Sequence, residues 1–274
     1  MFYSKEDLNA FSIVQFRFIE TAFEDNVFTI SLNRPEKRNA FTPTMVREIA
    51  YALEYANTDA SVWCVVIEAR GPIFSAGMDL LVFQNPELDE ENKTLPRTIK
   101  QVNLGEAFHD LDKPSIAKVE GSVFAGGFLI IAGCTFVVAS DNVEFSLPEV
   151  KRGLFPMQVM ASLLQKMPAG KVLEMCILGK SYTASEAREI GLISHLSSRE
   201  DVDETCGGLK KMILENSPFA IRKGIEAFKK LPEISGKERY AYLLDQLNRI
   251  RNSEDAQEGI AAFKEKRKPE WKNK

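Results

Sequence analysis

The sequence predicts an α/β fold followed by an all-helical C-terminal region. Three observations carry this. From residue 12 to residue 197, strand-like and helix-like segments alternate in the order β-β-α-β-α-β-α-β, the pattern of α/β layering. WCVVIEA, 63–69, is an unbroken apolar run of the kind found in strands buried on both faces. After about Leu196 the strand pattern stops and four amphipathic helical segments follow. The chain therefore divides into an α/β core, 1–197, and a helical region, 198–274.

Each element has its own local reason. Ser12 to Ile19 sets Ile13, Phe16, Phe18 and Ile19 among polar partners and reads as a first strand. VFTISLN, 27–33, forms the second after the turn-like EDN. RPEKRNAFT is a polar loop. Thr42 as cap and Pro43 in the first turn start a helix that runs to about Asn57, with Met45, Ile49, Leu53 and Tyr55 facing a core. Ile99, Val102, Leu104, Phe108 and Leu111 recur at helical spacing over 97–111. SIAKVEG and FVVAS are strands, and helices follow Pro156 and Gly170. TCGGLKKMILEN, PFAIRKGIEAFKKL, KERYAYLLDQLNRIR and DAQEGIAAFKEKR are the four helices of the tail.

Composition narrows the classes of function. With 45% hydrophobic and 27% charged residues among 274, the chain has an ordinary soluble composition and can bury a sizeable core. A formal net charge of −4 carries no electrostatic footprint for nucleic acid. The longest apolar run, FLIIAGCTFVVA, is far shorter than the roughly 20 residues of a membrane span. MFYSKEDLNAF lacks the basic and apolar regions of a secretory signal, so a cytoplasmic protein is expected. Cys64, Cys134, Cys176 and Cys206 are widely spaced, without a C-x-x-C, and read as reduced thiols, three of them buried. His109 and His195 alone support neither a metal site nor a Ser-His triad; both read as surface or core residues.

Two stretches break this plain pattern. VEGSVFAGGFLIIAGC, 119–134, interrupts an apolar run with Gly121, Gly126, Gly127 and Gly133, although each glycine weakens a strand or helix by roughly 0.5–1 kcal/mol. GPIFSAGMDL, 71–80, follows the strand WCVVIEA and also ends in small residues, Ser75, Ala76 and Gly77. In α/β folds ligands bind beyond the carboxyl ends of strands, where small residues expose backbone N–H groups. Neither stretch has the spacing of a Walker A or Rossmann phosphate loop. Two readings stay open from the glycines alone: close helix–strand packing, or paired amides converging on one oxygen as an oxyanion hole.

IFSAGMDL, VEGSVFAGG, FSLPEVKRGLFP and TASEAREIGLISHL, in this order and spacing, resemble the enoyl-CoA hydratase/isomerase family, the crotonases. The resemblance runs from VFTISLNRPEKRNAF to AFKEKRKPEW. It implies a spiral of repeated ββα units and a C-terminal helical region that assembles homotrimers or dimers of trimers. It implies an acyl-CoA thioester as substrate, with coenzyme A as part of that substrate and no separate cofactor or metal. It implies that two backbone amides, carried onto Ala76 and Gly126, stabilise a thioester enolate. It assigns CoA contacts to Lys37, Arg38 and Ala40, to backbone near Met78, Asp79 and Leu80, and to Phe263 and Lys266 from the C-terminal helix. Asp79 is expected to shape the CoA loop and Glu120 to make a structural bond.

Counting carboxylates separates the reactions. Family hydratases use two glutamates to handle water. The first position, three residues beyond Gly126, is Leu129, with apolar Phe128, Ile130 and Ile131 around it. The second is Glu149 in SLPEV. The hydratases' Gly-x-Gly-Gly after proline is replaced by Met157, Gln158 and Val159 after Pro156. A solitary carboxylate suffices for a 1,3-proton shift, which needs no water. The expectation is therefore a Δ3-Δ2 enoyl-CoA isomerase with Glu149 as shuttle. The alternatives are a hydratase or thioester hydrolase, and a non-catalytic acyl-CoA-binding protein.

Overall fold

The computed structural model describes residues 1–274, and its strands lie in two sheets. Six form the larger one: β1 (Ile19–Glu24), β2 (Val27–Leu32), β3 (Cys64–Ala69), β5 (Ser115–Val119), β7 (Phe136–Ser140) and β10 (His195–Ser197), in that spatial order. β4 (Ile73–Ser75), β6 (Ser122–Phe124), β8 (Glu144–Ser146) and β9 (Ser181–Thr183) form the smaller one, again in that order. The first three short strands each follow a neighbour in the large sheet: β3 then β4, β5 then β6, β7 then β8. β3, β5 and β7 pair in parallel, and so do β4, β6 and β8. Each turn of this spiral adds one strand to both sheets, so the chain beyond β4, β6 and β8 emerges along one edge. The α/β spiral followed by a helical C-terminal region agrees with the expectation.

The helices are α1 (Lys5–Asn9), α2 (Pro43–Thr58), α3 (Leu80–Gln84), α4 (Leu104–His109), α5 (Phe128–Gly133), α6 (Met157–Leu163), α7 (Ala169–Leu178), α8 (Ala184–Glu189), α9 (Val202–Leu214), α10 (Pro218–Lys230), α11 (Glu238–Arg251) and α12 (Glu254–Glu265). Thr42 caps α2 through its hydroxyl, which accepts the Met45 N–H, and Pro43 occupies the first turn. α2 buries Met45, Ile49 and Leu53 completely. Ile30, Leu32, Val65, Ile67 and Val137 meet them from the large sheet in one continuous core.

Three expectations are corrected here. The first strand begins at Ile19, not near Ser12; residues 11–13 form a 3₁₀ turn. The apolar alternation there serves side-chain packing, with Phe11 stacked 3.8 Å from Tyr55. Its backbone donors go to a buried acid, the Arg17 and Phe18 N–H groups donating to Glu48 at 2.8 Å each. The helix expected over 97–111 covers only Leu104–His109. Asn103 caps it by accepting the Glu106 N–H, and the residues before it stay non-helical. All four cysteines are buried, one more than expected, and all are free.

Past residue 197, α9 still belongs to the sheet structurally. Val202, Cys206, Leu209 and Ile213 pack on Val27, Cys64, Val66, Ile116 and Val138, covering the sheet's second face. α11 buries no residue. The basic C-terminus folds back instead of dangling: Trp271 Nε1 donates to Glu215 O at 2.9 Å, Arg267 pairs with Glu258, and Asn273 Nδ2 donates to Ala60 O at 2.8 Å. No helix is long and apolar enough to cross a membrane.

Candidate active site

Because β4, β6 and β8 run parallel, with Ser75 opposite Val123 beyond a register shift and Phe124 opposite Ser146, the turns that follow them are neighbours. Gly77 makes the first two turns touch. Its φ is +84°, and a Cβ there would fall 2.7 Å from the Gly126 nitrogen and 2.6 Å from the Ala125 Cβ. Gly126 faces the other way round: a Cβ there would meet nothing closer than 3.5 Å, with Met78 N 3.6 Å off. Both readings of the glycines therefore hold at different positions. Gly121 and Gly133 are packing glycines, while Gly126 keeps its backbone open.

The amides of the first turn are spoken for, except one. Ala76 N–H donates to Arg38 O at 2.9 Å, Gly77 N–H to Ser75 Oγ at 3.1 Å and Asp79 N–H to Phe41 O at 2.9 Å. The Met78 N–H has no acceptor. Gly126 is the second residue of a 3₁₀ turn, Ala125–Gly127, whose leading amides have no intrahelical partner. This corrects the assignment of Ala76. Its N–H is consumed in anchoring the turn to the RPEKRNAF loop, and the unengaged donor lies two residues on, at Met78. The left-handed Gly77 was the available signal, since such a residue turns the next amide outward from the strand direction.

Glu149 comes from the third parallel strand, in the 3₁₀ turn Pro148–Arg152 that follows β8. It is half-buried, and its Oε2 is buried without a hydrogen-bond partner. Burial pushes its carboxyl above the usual range, with its own backbone N–H and Arg152 pulling the other way.

A cavity of about 530 Å³ opens beside the two turns. Met78, Asp79 and Gly126 line it, as do the apolar Phe41, Val82, Val102 and Leu129. Leu129 is buried and occupies the wall where a first glutamate would stand. Asp79 is the sole carboxylate in that wall, and it is occupied. Arg34 Nη1 donates to Asp79 Oδ2 at 2.8 Å, with both side chains 11% exposed, and Asp79 caps α3. Burial opposes ionisation of Asp79, yet Arg34 and the Leu81 and Val82 amides hold its carboxyl below the usual range. Glu149, Lys37, Arg38, Ala40, Leu80, Phe263 and Lys266 do not line the cavity.

The loop above the site is held by residues that the sequence reading missed. Asn39, in left-handed conformation, accepts the Arg34 N–H and donates to Arg70 O and Ile73 O. Arg34 also donates to Ala40 O at 2.9 Å. Ala40 is thereby buried, while Lys37 and Arg38 project into solvent with no ion-pair partner. Phe263 is 85% exposed near the end of α12, and Lys266 is its exposed left-handed C-cap. Outside the site, Glu120 pairs with Lys118 at 3.0 Å, a structural bond. His109 is exposed beside Gln165, and His195 lies in β10 against Phe136.

Comparison with known proteins identifies the family of the chain. The profile of the family described as enoyl-CoA hydratase/isomerase matches residues 22–274. A mevalonyl-coenzyme A hydratase of Aspergillus fumigatus is 30% identical over 250 residues, covering 90% of this chain and 92% of its own. An enoyl-CoA hydratase of Mycobacterium tuberculosis is 30% identical over 249 residues, covering 89% and 92%. The crystal structure of an enoyl-CoA hydratase from the same organism superposes with a TM-score of 0.82 at 28% identity, covering 94% of this chain and 99% of that one. The chain is a member of the enoyl-CoA hydratase/isomerase family, the crotonases.

Proposed function

We propose that the protein is a Δ3-Δ2 enoyl-CoA isomerase. The thioester oxygen accepts from the Met78 and Gly126 amides. Glu149 removes a proton from C2 of a 3-enoyl-CoA, the electrons move into a dienolate, and Glu149 returns the proton at C4. Charge developing on the thioester oxygen meets two neutral, preoriented donors, each worth on the order of 3–4 kcal/mol in such sites. The raised carboxyl of Glu149 is matched to the exchange, because a base whose proton is held more tightly than usual removes carbon acid protons better.

The observation that carries the reading is Leu129 in the cavity wall, with Asp79 locked to Arg34, which leaves Glu149, on the turn after β8 and with a buried oxygen that has no partner, as the acid free to act. A hydratase is the second reading, favoured by the names of the relatives. Incubation with 3-enoyl-CoA and with 2-enoyl-CoA in 18O-labelled water separates them. The isomerase forms unlabelled 2-enoyl-CoA from the first substrate. Labelled 3-hydroxyacyl-CoA from the second, at a comparable or higher rate, would replace the isomerase with a hydratase.

The CoA moiety is assigned to the exposed loop, with Lys37 and Arg38 facing its phosphates and the backbone of Ala40 and Leu80 facing adenine and pantetheine. Phe263 and Lys266 would reach CoA only across a subunit boundary, since neither lies at this chain's own cavity. Assembly as a trimer or dimer of trimers is supported by the apolar stripe on α11. Tyr240, Leu243, Leu244 and Leu247 recur at helical spacing and are 39–79% exposed.

A further inference from the structure

The cavity contains one charged group that isomerisation does not use. Arg47 lies on α2, one helical turn beyond Pro43, and lines the same cavity as Met78 and Gly126. Its Nη2 donates to Thr44 Oγ1 at 2.9 Å. Its Nε is buried and has no partner. Arg47 forms no ion pair. The nearest acid in its network, Asp89, is one hydroxyl away: Thr44 Oγ1 donates to Asp89 Oδ2 at 2.9 Å. Asp89 thus fixes the guanidinium through Thr44 without neutralising it by contact. Asp79, the acid in the cavity wall, is taken by Arg34. Thr98 and Gln101, also in that wall, have side chains that bond to no other residue.

From these observations, and resting on the reading of the cavity as an acyl-CoA site, we propose that Arg47 selects substrates whose acyl group ends in a carboxylate. Phe41 bridges Met78 at the reacting end, and α2 starts two residues later. The helix rise puts Arg47 about 6 Å along the axis beyond Pro43. An acyl chain leaving the thioester along this cavity passes the apolar Phe41, Val82 and Val102 and comes within the same wall as the Arg47 guanidinium, which is turned back to Thr44. A carboxylate there takes charge-assisted bonds from a planar donor set that is permanently cationic. A hydrocarbon tail would instead bury that donor unpaired, which a polar site penalises more than it rewards a fit. Selection thus operates against neutral acyl groups as well as for charged ones.

The same guanidinium chemistry would suit a CoA phosphate, and the test distinguishes the two sources. Saturated, unreactive acyl-CoA ligands keep it independent of which reaction the enzyme performs. Binding of a saturated ω-carboxyacyl-CoA and of the neutral acyl-CoA of equal carbon number is measured by calorimetry on the full chain. The wild type is expected to bind the carboxylated ligand ten- to a hundred-fold more tightly. Arg47→Met should bring that ratio close to one by weakening the carboxylated ligand while the neutral ligand binds as tightly as before or more tightly, which also shows that the variant is folded. Arg47→Lys should keep part of the preference. No preference in the wild type overturns the proposal. An equal loss of both ligands in Arg47→Met overturns it in favour of a CoA phosphate contact. Failure of the wild type to bind either ligand removes the acyl-CoA site itself.

Discussion

In the proposed isomerisation, Glu149 is costly to the fold for the reason that would make it a good base. Its carboxyl titrates above the usual range because burial disfavours the charged form. Below the ordinary glutamate value the group is neutral in both states and costs nothing. As pH rises from there towards the raised value, the unfolded chain ionises first and stability is lost. Glu149→Gln should therefore raise the melting temperature at pH 7, by no more than about 3 °C, and leave it unchanged near pH 4. Thermal scans at the two pH values check this. Catalysis runs the other way: the wild-type rate should fall as acid protonates Glu149, with an inflection above the usual glutamate range in a kcat/KM profile. Leu129→Glu should add a second acid to the cavity wall and raise hydration of 2-enoyl-CoA at least tenfold, read as 3-hydroxyacyl-CoA formed. Glu149 and Leu129 were singled out in the sequence because the family resemblance puts each position at a fixed offset from a recognisable turn. Arg34 and Asn39 were not, because their partners lie 5 to 45 residues away and only the fold brings them within reach, and Arg47 was not, because only the fold sets it in one cavity wall with Met78 and Gly126.

Among elements, the turns after β4 and β6 depend on each other. Gly77→Ala would place a methyl 2.7 Å from the Gly126 amide and require a left-handed alanine. A loss of 10²–10³ in kcat is expected, close to that of deleting an oxyanion donor, with CoA-ester binding kept. The Arg34–Asp79 pair fixes the same region from the other side. Asp79→Ala leaves Arg34 mostly buried without its carboxylate and should cost about 2–3 kcal/mol of stability, measured by denaturant unfolding. The wild-type contribution of Asp79 is present above the usual carboxylate range and is lost as pH falls through its lowered value. Capped and continuously apolar elements such as α2 and β3 were readable in the sequence to within a residue or two. The three-residue strands β6 and β8 were not, since each is too short to show a period and is defined by neighbours from other turns of the spiral. The segment before α4 continues the apolar spacing because Val102 lines the cavity, as Leu104 at the start of α4 does, not because its backbone is helical.

For the whole molecule, the repeat of long-sheet strand and short-sheet strand explains why the turns that carry residues 78, 126 and 149 emerge along one edge. The α/β order was visible in the sequence; the spiral itself entered through the family resemblance, because hydrophobic pattern does not say which strands pair. α11 buries nothing within its own chain, so its apolar stripe is the test of assembly. Replacing Leu244 and Leu247 together by Glu is expected to shift the protein to monomer in sedimentation or light scattering, with the core still folded by circular dichroism. An unchanged oligomer would move the interface elsewhere. The account stands most directly on conversion of 3-enoyl-CoA to 2-enoyl-CoA, followed by absorbance of the conjugated thioester, in the wild type and in Glu149→Gln at equal acyl-CoA occupancy. It predicts turnover by the wild type and a loss of at least a thousandfold in the variant with binding retained. Comparable turnover by the two proteins would contradict it.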